Sequence, residues 1–146
     1  MRHILVAVDG SRHSHKALDV AADLAEKFGA NLTFVHVVQA VKVPADFRKY
    51  AEAEYRGERL AAVYLRKVGE AILDDAEKRV ARRKLQTKRM LVEGGPPDHI
   101  VKVADQLEVD LIVMGSRGLG PISGFVLGSV STRVLFQGSR SVLIVK

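Results

Sequence analysis

The chain has 146 residues, 47% of them hydrophobic, which is the size of one domain with enough apolar material for a sizeable core; the absence of cysteine excludes a disulfide framework and thiolate metal sites. After Met1, Arg2 and His3 only a short apolar run precedes Asp9, too short for a signal-peptide core or a membrane span, so a cytoplasmic protein without a membrane anchor is expected. The net charge of +6 is local, because Lys78 to Arg89 carries seven basic residues and no acid and the rest of the chain is close to neutral.

Ile4 to Val8 is a continuous apolar run closed by Asp9, Gly10 and Ser11, the pattern of a buried strand ending in a turn. Ser11 or Ser14 can cap the helix that follows. In it Ala17, Leu18, Ala21, Ala22, Leu24, Ala25 and Phe28 recur at helical spacing, and Gly29 stands where a left-handed cap is expected. Leu32 to Val38 is a second apolar, β-branched run, and the helix between the two makes them parallel neighbours. Val41 to Tyr55 is polar around Pro44 and has no clear period. Beyond it Leu60, Val63, Tyr64, Val68, Ala71, Ile72 and Val80 predict one long helix with an apolar face. Thr87 to Val92 reads as a short strand whose Lys88 and Arg89 suit a sheet edge, and Gly94, Gly95, Pro96 and Pro97 turn the chain into a helix starting near Pro97. Ile100, Val101, Val103, Ala104 and Leu107 form its apolar face. Leu111 to Met114 is a fourth buried strand ended by Gly115, Ser129 to Gln137 a last helix capped by Gly138, and Val142 to Val145 a fifth strand.

Alternating apolar strands and helices predict a single-domain, doubly wound (Rossmann-like) α/β fold: a five-stranded parallel sheet, order 3-2-1-4-5, with helices on both faces. In that order the crossovers reverse direction between strands 1 and 4, and ligands of open α/β sheets bind at the carboxyl ends beside such a switch point. Strand 5 is then an edge with no charge between Ser141 and Val145, which predicts a partner chain and a homodimer.

Between strand 4 and the last helix, Gly115 to Thr132 concentrates five glycines together with serines and a threonine. Glycine lets backbone amides approach an anion closely, and a helix N-terminus adds unpaired N–H groups and partial positive charge, with the hydroxyls of Ser129, Ser131 and Thr132 beside them. Two phosphate motifs are excluded. The P-loop needs Gly-Lys-Ser/Thr and no lysine lies between Lys102 and Lys146; the dinucleotide fingerprint needs glycines after the first strand, where Asp9-Gly10-Ser11-Arg12 stands.

The spacing Gly115-x2-Gly118-x9-Gly128-Ser129 resembles the ATP-binding signature of the universal stress protein family. The resemblance extends over essentially the whole chain, through Val8 to Ser11, His36-Val37, Val113-Met114-Gly115-Ser116 and Ser141 to Val145. It implies that Asp9 and Val37 flank adenine and ribose, with Ala7 and Val8 nearby through their backbones. It also implies that Met114, Gly115, Ser116, Arg117 and Gly118 meet ribose and phosphates, and that Gly128, Ser129, Val130 and Ser131 hold the phosphate tail. ATP with Mg²⁺ is the implied ligand and a dimer joined through the fifth strands the implied assembly. The function expected is a nucleotide-dependent regulatory or binding module in stress response, with slow or no hydrolysis.

Plainer roles stand beside these. Asp9 alone could be a turn or capping residue, and Arg117 either a phosphate contact or a solvated loop residue. His13 and His15, two apart on a helix, point away from each other, which argues against a metal site; His36 in an apolar strand reads as a hydrogen-bonded core histidine. Asp74 and Asp75 stand four residues before Lys78 and Arg79, which favours a solvated, ion-paired helix over a nucleic-acid surface. Asp110 begins strand 4, at the far end from the ligand, leaving Asp9 the one acid placed for hydrolysis. An ATP-using enzyme of the adenine-nucleotide α-hydrolase type is the alternative, although its usual pyrophosphate loop after strand 1 and its further substrate domain are not visible.

Overall fold

The computed structural model describes residues 1–39, 51–119 and 127–146, so most of the stretch without a clear period, and residues 120–126 of the glycine stretch, lie outside the described residues. The elements are β1 (His3–Ala7), α1 (Arg12–Phe28), β2 (Asn31–Val38), α2 (Ala51–Val80), β3 (Thr87–Glu93), α3 (Pro96–Gln106), β4 (Leu111–Gly115), α4 (Ser129–Gln137) and β5 (Ser141–Val145). All pairings are parallel and the sheet order is β3-β2-β1-β4-β5, as the alternation of elements predicts.

The strands' two-residue period divides the core. Ile4, Val6, Leu32, Phe34 and Val113 pack under α1 and α2; Leu5, Val35, Ile112 and Met114 meet Ile100, Val103, Ala104 and Val134 on the other face, under α3 and α4. α1 begins where Ser11 Oγ accepts the N–H of Ser14 at 3.1 Å and ends at Gly29, whose φ of 62° lets its N–H turn back to Ala25 and Glu26. Gly138 caps α4 as expected, in a conformation unlike that of Gly29. It closes α4 in an extended conformation, donating to the Val134 carbonyl, and its glycine is required by space: a Cβ there would lie 2.9 Å from that same oxygen.

The long helix is present, and its core face keeps Ile72 and Val80 of the predicted residues but not Leu60, Val63, Tyr64 or Val68. Gly69, Leu73, Ala76 and Val80 face the sheet, while Leu60 and Tyr64 are 71% and 66% exposed and Val63 and Val68 are exposed with them. The reason is closeness. A Cβ on Gly69 would lie 2.6 Å from Leu91 Cδ1, so the helix comes closest to the sheet at this glycine, and the face that carries Gly69, Leu73, Ala76 and Val80 is the buried one.

The basic run is also partnered differently from the expected i, i+4 pairs. Arg79 forks onto Asp19 of α1 at 2.7 and 2.8 Å, Arg83 reaches Asp23 at 2.5 Å and Glu26 at 3.1 Å, and Arg89 sits among Asp74, Glu70 and Glu77. Asp75 pairs with His15 instead of Arg79. Acids of α1 and α2 thus pair with Arg79, Arg83 and Arg89, three of the seven cations of the run.

At the amino edge of the sheet, Asp110 Oδ2 accepts the N–H groups of Arg2 at 2.5 Å and His3 at 2.9 Å, tying β4 to β1. These backbone donors, with the nearby N-terminal and Arg2 charges, hold the Asp110 carboxyl below the usual carboxylate range. A depressed folded-state pKa gives stability that is present above about pH 4 and lost as pH falls through the folded value. Asp110→Asn should therefore flatten the acid limb of the thermal-stability profile, leaving the shape above neutrality unchanged. A second prediction concerns Glu108, exposed and at φ 49° in the cap that follows α3, where Val109 N–H reaches the Ala104 carbonyl. Glu108→Gly removes the left-handed strain and should stabilise by about 0.5–1 kcal/mol in urea unfolding.

Candidate functional site

β1 and β4 are adjacent and parallel, with Val6 opposite Val113, and their connections leave to opposite faces. A crevice opens at their carboxyl ends. It is a cavity of about 500 Å³, lined from the described residues by Ala7, Val8, Asp9 and Ser14, by Val35, His36, Val37 and Gln39, by Pro96 and Ile100, by Met114, Gly115, Arg117, Gly118 and Leu119, and by Gly128 to Ser131. That is the size of a small-molecule site. Of the site residues expected from sequence, Ser116 alone is not on the wall.

The two sides of the crevice are held by different means. On the β1 side, Asp9 Oδ1 accepts the N–H of Ser11 at 2.9 Å and the Asp9 N–H reaches Ser14 Oγ at 3.3 Å, so Asp9 is a turn residue and a wall residue at once. Its other oxygen lies against Gly118, where a Cβ would come within 2.6 Å. On the β4 side, Ser116 is a brace. Its N–H donates to the Val145 carbonyl at 2.7 Å, and its own carbonyl accepts from Gly128 N–H at 2.7 Å and from Ser131 Oγ at 3.2 Å. The Ser131 hydroxyl, in a residue only 2% exposed, also contacts the Gly128 carbonyl at 2.9 Å. Ser131 is on the cavity wall, and its Oγ is directed at the loop's own carbonyls.

Gly115 is likewise there for packing. A Cβ on it would lie 2.8 Å from both the carbonyl carbon and the Cβ of His13, because the first turn of α1 rests on the end of β4. Gly128 is less constrained: a Cβ there would lie 3.4 Å from both the Arg117 Cα and the Ser116 carbonyl oxygen, close to ordinary contact.

Two helix N-termini line the cavity, and their chemistry differs. α3 starts Pro96-Pro97, which carry no N–H, and has Asp98 in its first turn; its contribution is the apolar Pro96 and Ile100. α4 starts with Ser129, Val130 and Ser131 behind Gly128, with no acid in its first turn and no side-chain cap. The N–H groups of its first turn have no intrahelical acceptor. An anion is therefore favoured at α4 and disfavoured at α3. Between them Val35, Val37, Ile100 and Met114 make an apolar slot.

Sequence reading had not placed Ser14, Val35, His36, Gln39, Pro96, Ile100 or Leu119 at the site. Val35 and Gln39 share the parity of Val37 along β2, a signal that was available. Pro96 and Ile100 come from an element distant in sequence, and only the folded sheet brings them in. Among the described residues no group of three or more His, Asp or Glu side chains could hold a metal ion. No described helix is long and apolar enough to cross a membrane.

The profile described as "Universal stress protein family" matches residues 1–146. Universal stress protein YxiE of Bacillus subtilis is 35% identical over 154 residues, covering 98% of this chain and 97% of its own. Among solved structures, a protein from the universal stress protein family of Burkholderia pseudomallei is 30% identical with a TM-score of 0.73, covering 98% and 94% of the two chains. A universal stress protein in complex with cAMP is 30% identical with a TM-score of 0.71, covering 99% and 97%.

The two crevice glycines separate packing from binding. Gly115→Ala should destabilise by about 1–3 kcal/mol in thermal or urea unfolding, since the His13 backbone cannot retreat without moving α1. Gly118→Ala, which meets only the end of the Asp9 side chain, should leave the melting temperature nearly unchanged while displacing that carboxylate into the crevice.

Proposed function

Because the chain belongs to the universal stress protein family, we propose that it binds ATP in the crevice between β1 and β4 and acts as a nucleotide-dependent regulatory or binding module. The observation that carries this is the pairing, in one cavity, of an apolar slot with an acid-free, uncapped N-terminus of α4. A purine and its ribose suit the slot between Val37, Ile100 and Met114, beside Ala7, Val8 and Asp9. The phosphates then reach Gly118, Gly128, Ser129 and Val130, with Gly115, Ser116, Arg117 and Ser131 shaping the loop around them. The relative solved with cAMP supports an adenine nucleotide as the ligand class.

Mg²⁺ enters this reading as the companion of the nucleotide. Its ligands are phosphate oxygens and water, and Asp9 is the one carboxylate on the described wall that could join them. The same Asp9 has one oxygen engaged by Ser11 N–H, which suits holding a ligand better than abstracting a proton, and so favours slow or no hydrolysis. The assembly proposed is a homodimer through Ser141–Val145. β5 is an edge whose Val142, Leu143, Ile144 and Val145 are each only partly buried, and beside it on α4 Phe136 is 83% exposed. A cytoplasmic location fits a chain without cysteine.

Calorimetric titration of the purified protein with ATP, AMP, cAMP and GTP checks the ligand. ATP should bind more tightly than GTP, and Gly118→Ala should weaken it by tenfold or more; no heat from any adenine nucleotide at millimolar concentration would refute the proposal. Sedimentation at micromolar protein should show a dimer, and a monomer alone would count against the β5 interface.

A further inference from the structure

His36 stands in an apolar strand at the cavity wall, where a leucine or phenylalanine would serve packing as well. What the imidazole adds is a donor. Its Nδ1 is 2.7 Å from the Val8 carbonyl oxygen, and since a carbonyl only accepts, Nδ1 carries the proton. The N–H of the same Val8 donates to the Val35 carbonyl at 2.9 Å. The main chain of β2 and the ring of His36 therefore hold both polar groups of the last residue before Asp9.

Beyond Val8 the chain turns sharply. Gly10 is at φ 79°, and the Asp9 N–H makes a long contact of 3.3 Å to Ser14 Oγ. α2 is shaped to the ring: a Cβ on Gly69 would lie 2.9 Å from His36 Cδ2, so glycine at that position lets the helix close over the imidazole. The position of the ring is thus set from one side by α2 and from the other by the Val8 carbonyl.

We propose that His36 is a positioning residue of the ligand site, fixing the Val8 carbonyl so that the Asp9 carboxylate faces Gly118 across the crevice; this rests on the nucleotide reading above. Three substitutions separate the hydrogen bond from the packing. His36→Asn keeps a nitrogen donor at the δ position, His36→Gln moves it to the ε position, and His36→Phe keeps the ring without a donor. ATP affinity of the Asn variant should stay within about threefold of the parent, and that of the Gln and Phe variants should fall by roughly tenfold, the loss of one well-placed hydrogen bond. Thermal stability should follow the opposite order, because asparagine leaves the largest void beside Gly69 and phenylalanine the smallest. ¹⁵N spectroscopy of the parent should show His36 in the Nδ1-protonated tautomer whether or not nucleotide is present. Affinities that follow the stability order, or a Phe variant that binds ATP like the parent, would overturn the role of His36 and leave the nucleotide site standing. A parent protein that binds no adenine nucleotide would overturn both.

Discussion

The parallel pairing of β1 with β4 is the constraint on which the rest depends. Two adjacent strands whose connections leave to opposite faces cannot be closed by a single loop, so a crevice remains at their carboxyl ends. Everything that defines the site is a response to that opening. Asp9 turns the chain on one side, Ser116 braces it on the other, Gly115 is a glycine because α1 comes too close for a side chain, and Gly118 leaves room for the Asp9 carboxylate where it lies. The signature spacing is thus partly a packing requirement, met before any ligand arrives.

Electrostatic polarity of the crevice follows from how two helices begin. Both α3 and α4 direct their N-termini at the cavity, and a helix N-terminus is ordinarily an anion site. Pro96, Pro97 and Asp98 cancel this at α3, and Gly128 with Ser129 leaves it intact at α4. A ligand with an apolar end and an anionic end has one orientation that suits both helices.

Surface charge is resolved in a similar way. The basic run ending in Arg89 is dense in sequence, yet α1 contributes Asp19, Asp23 and Glu26 and α2 contributes Glu70, Asp74 and Glu77 to its arginines. Exposed pairs of this kind are worth little in stability. Their consequence is for the surface, because three of the seven cations of the run face acids of neighbouring turns and helices.

Hydrophobic period and glycine punctuation determined the elements, the parallel sheet and its order, because a buried strand and a capped helix write their periods into local sequence. The same local signals pointed to the crevice, since Asp9 follows β1 and Gly115 ends β4, the two strands whose connections leave to opposite faces. What they could not decide was contact between distant segments. Leu60 and Tyr64 look like core residues by spacing, but Gly69 and Ala76 let α2 approach by another face; Asp74 and Asp75 look paired to their own helix, but Arg89 and His15 were nearer in space. Pro96 and Ile100 reach the cavity, and His36 finds the Val8 carbonyl, only once the sheet is assembled. Period records which face of an element is apolar, whereas which neighbour that face meets depends on how closely two backbones can approach, and that is settled by the assembled fold.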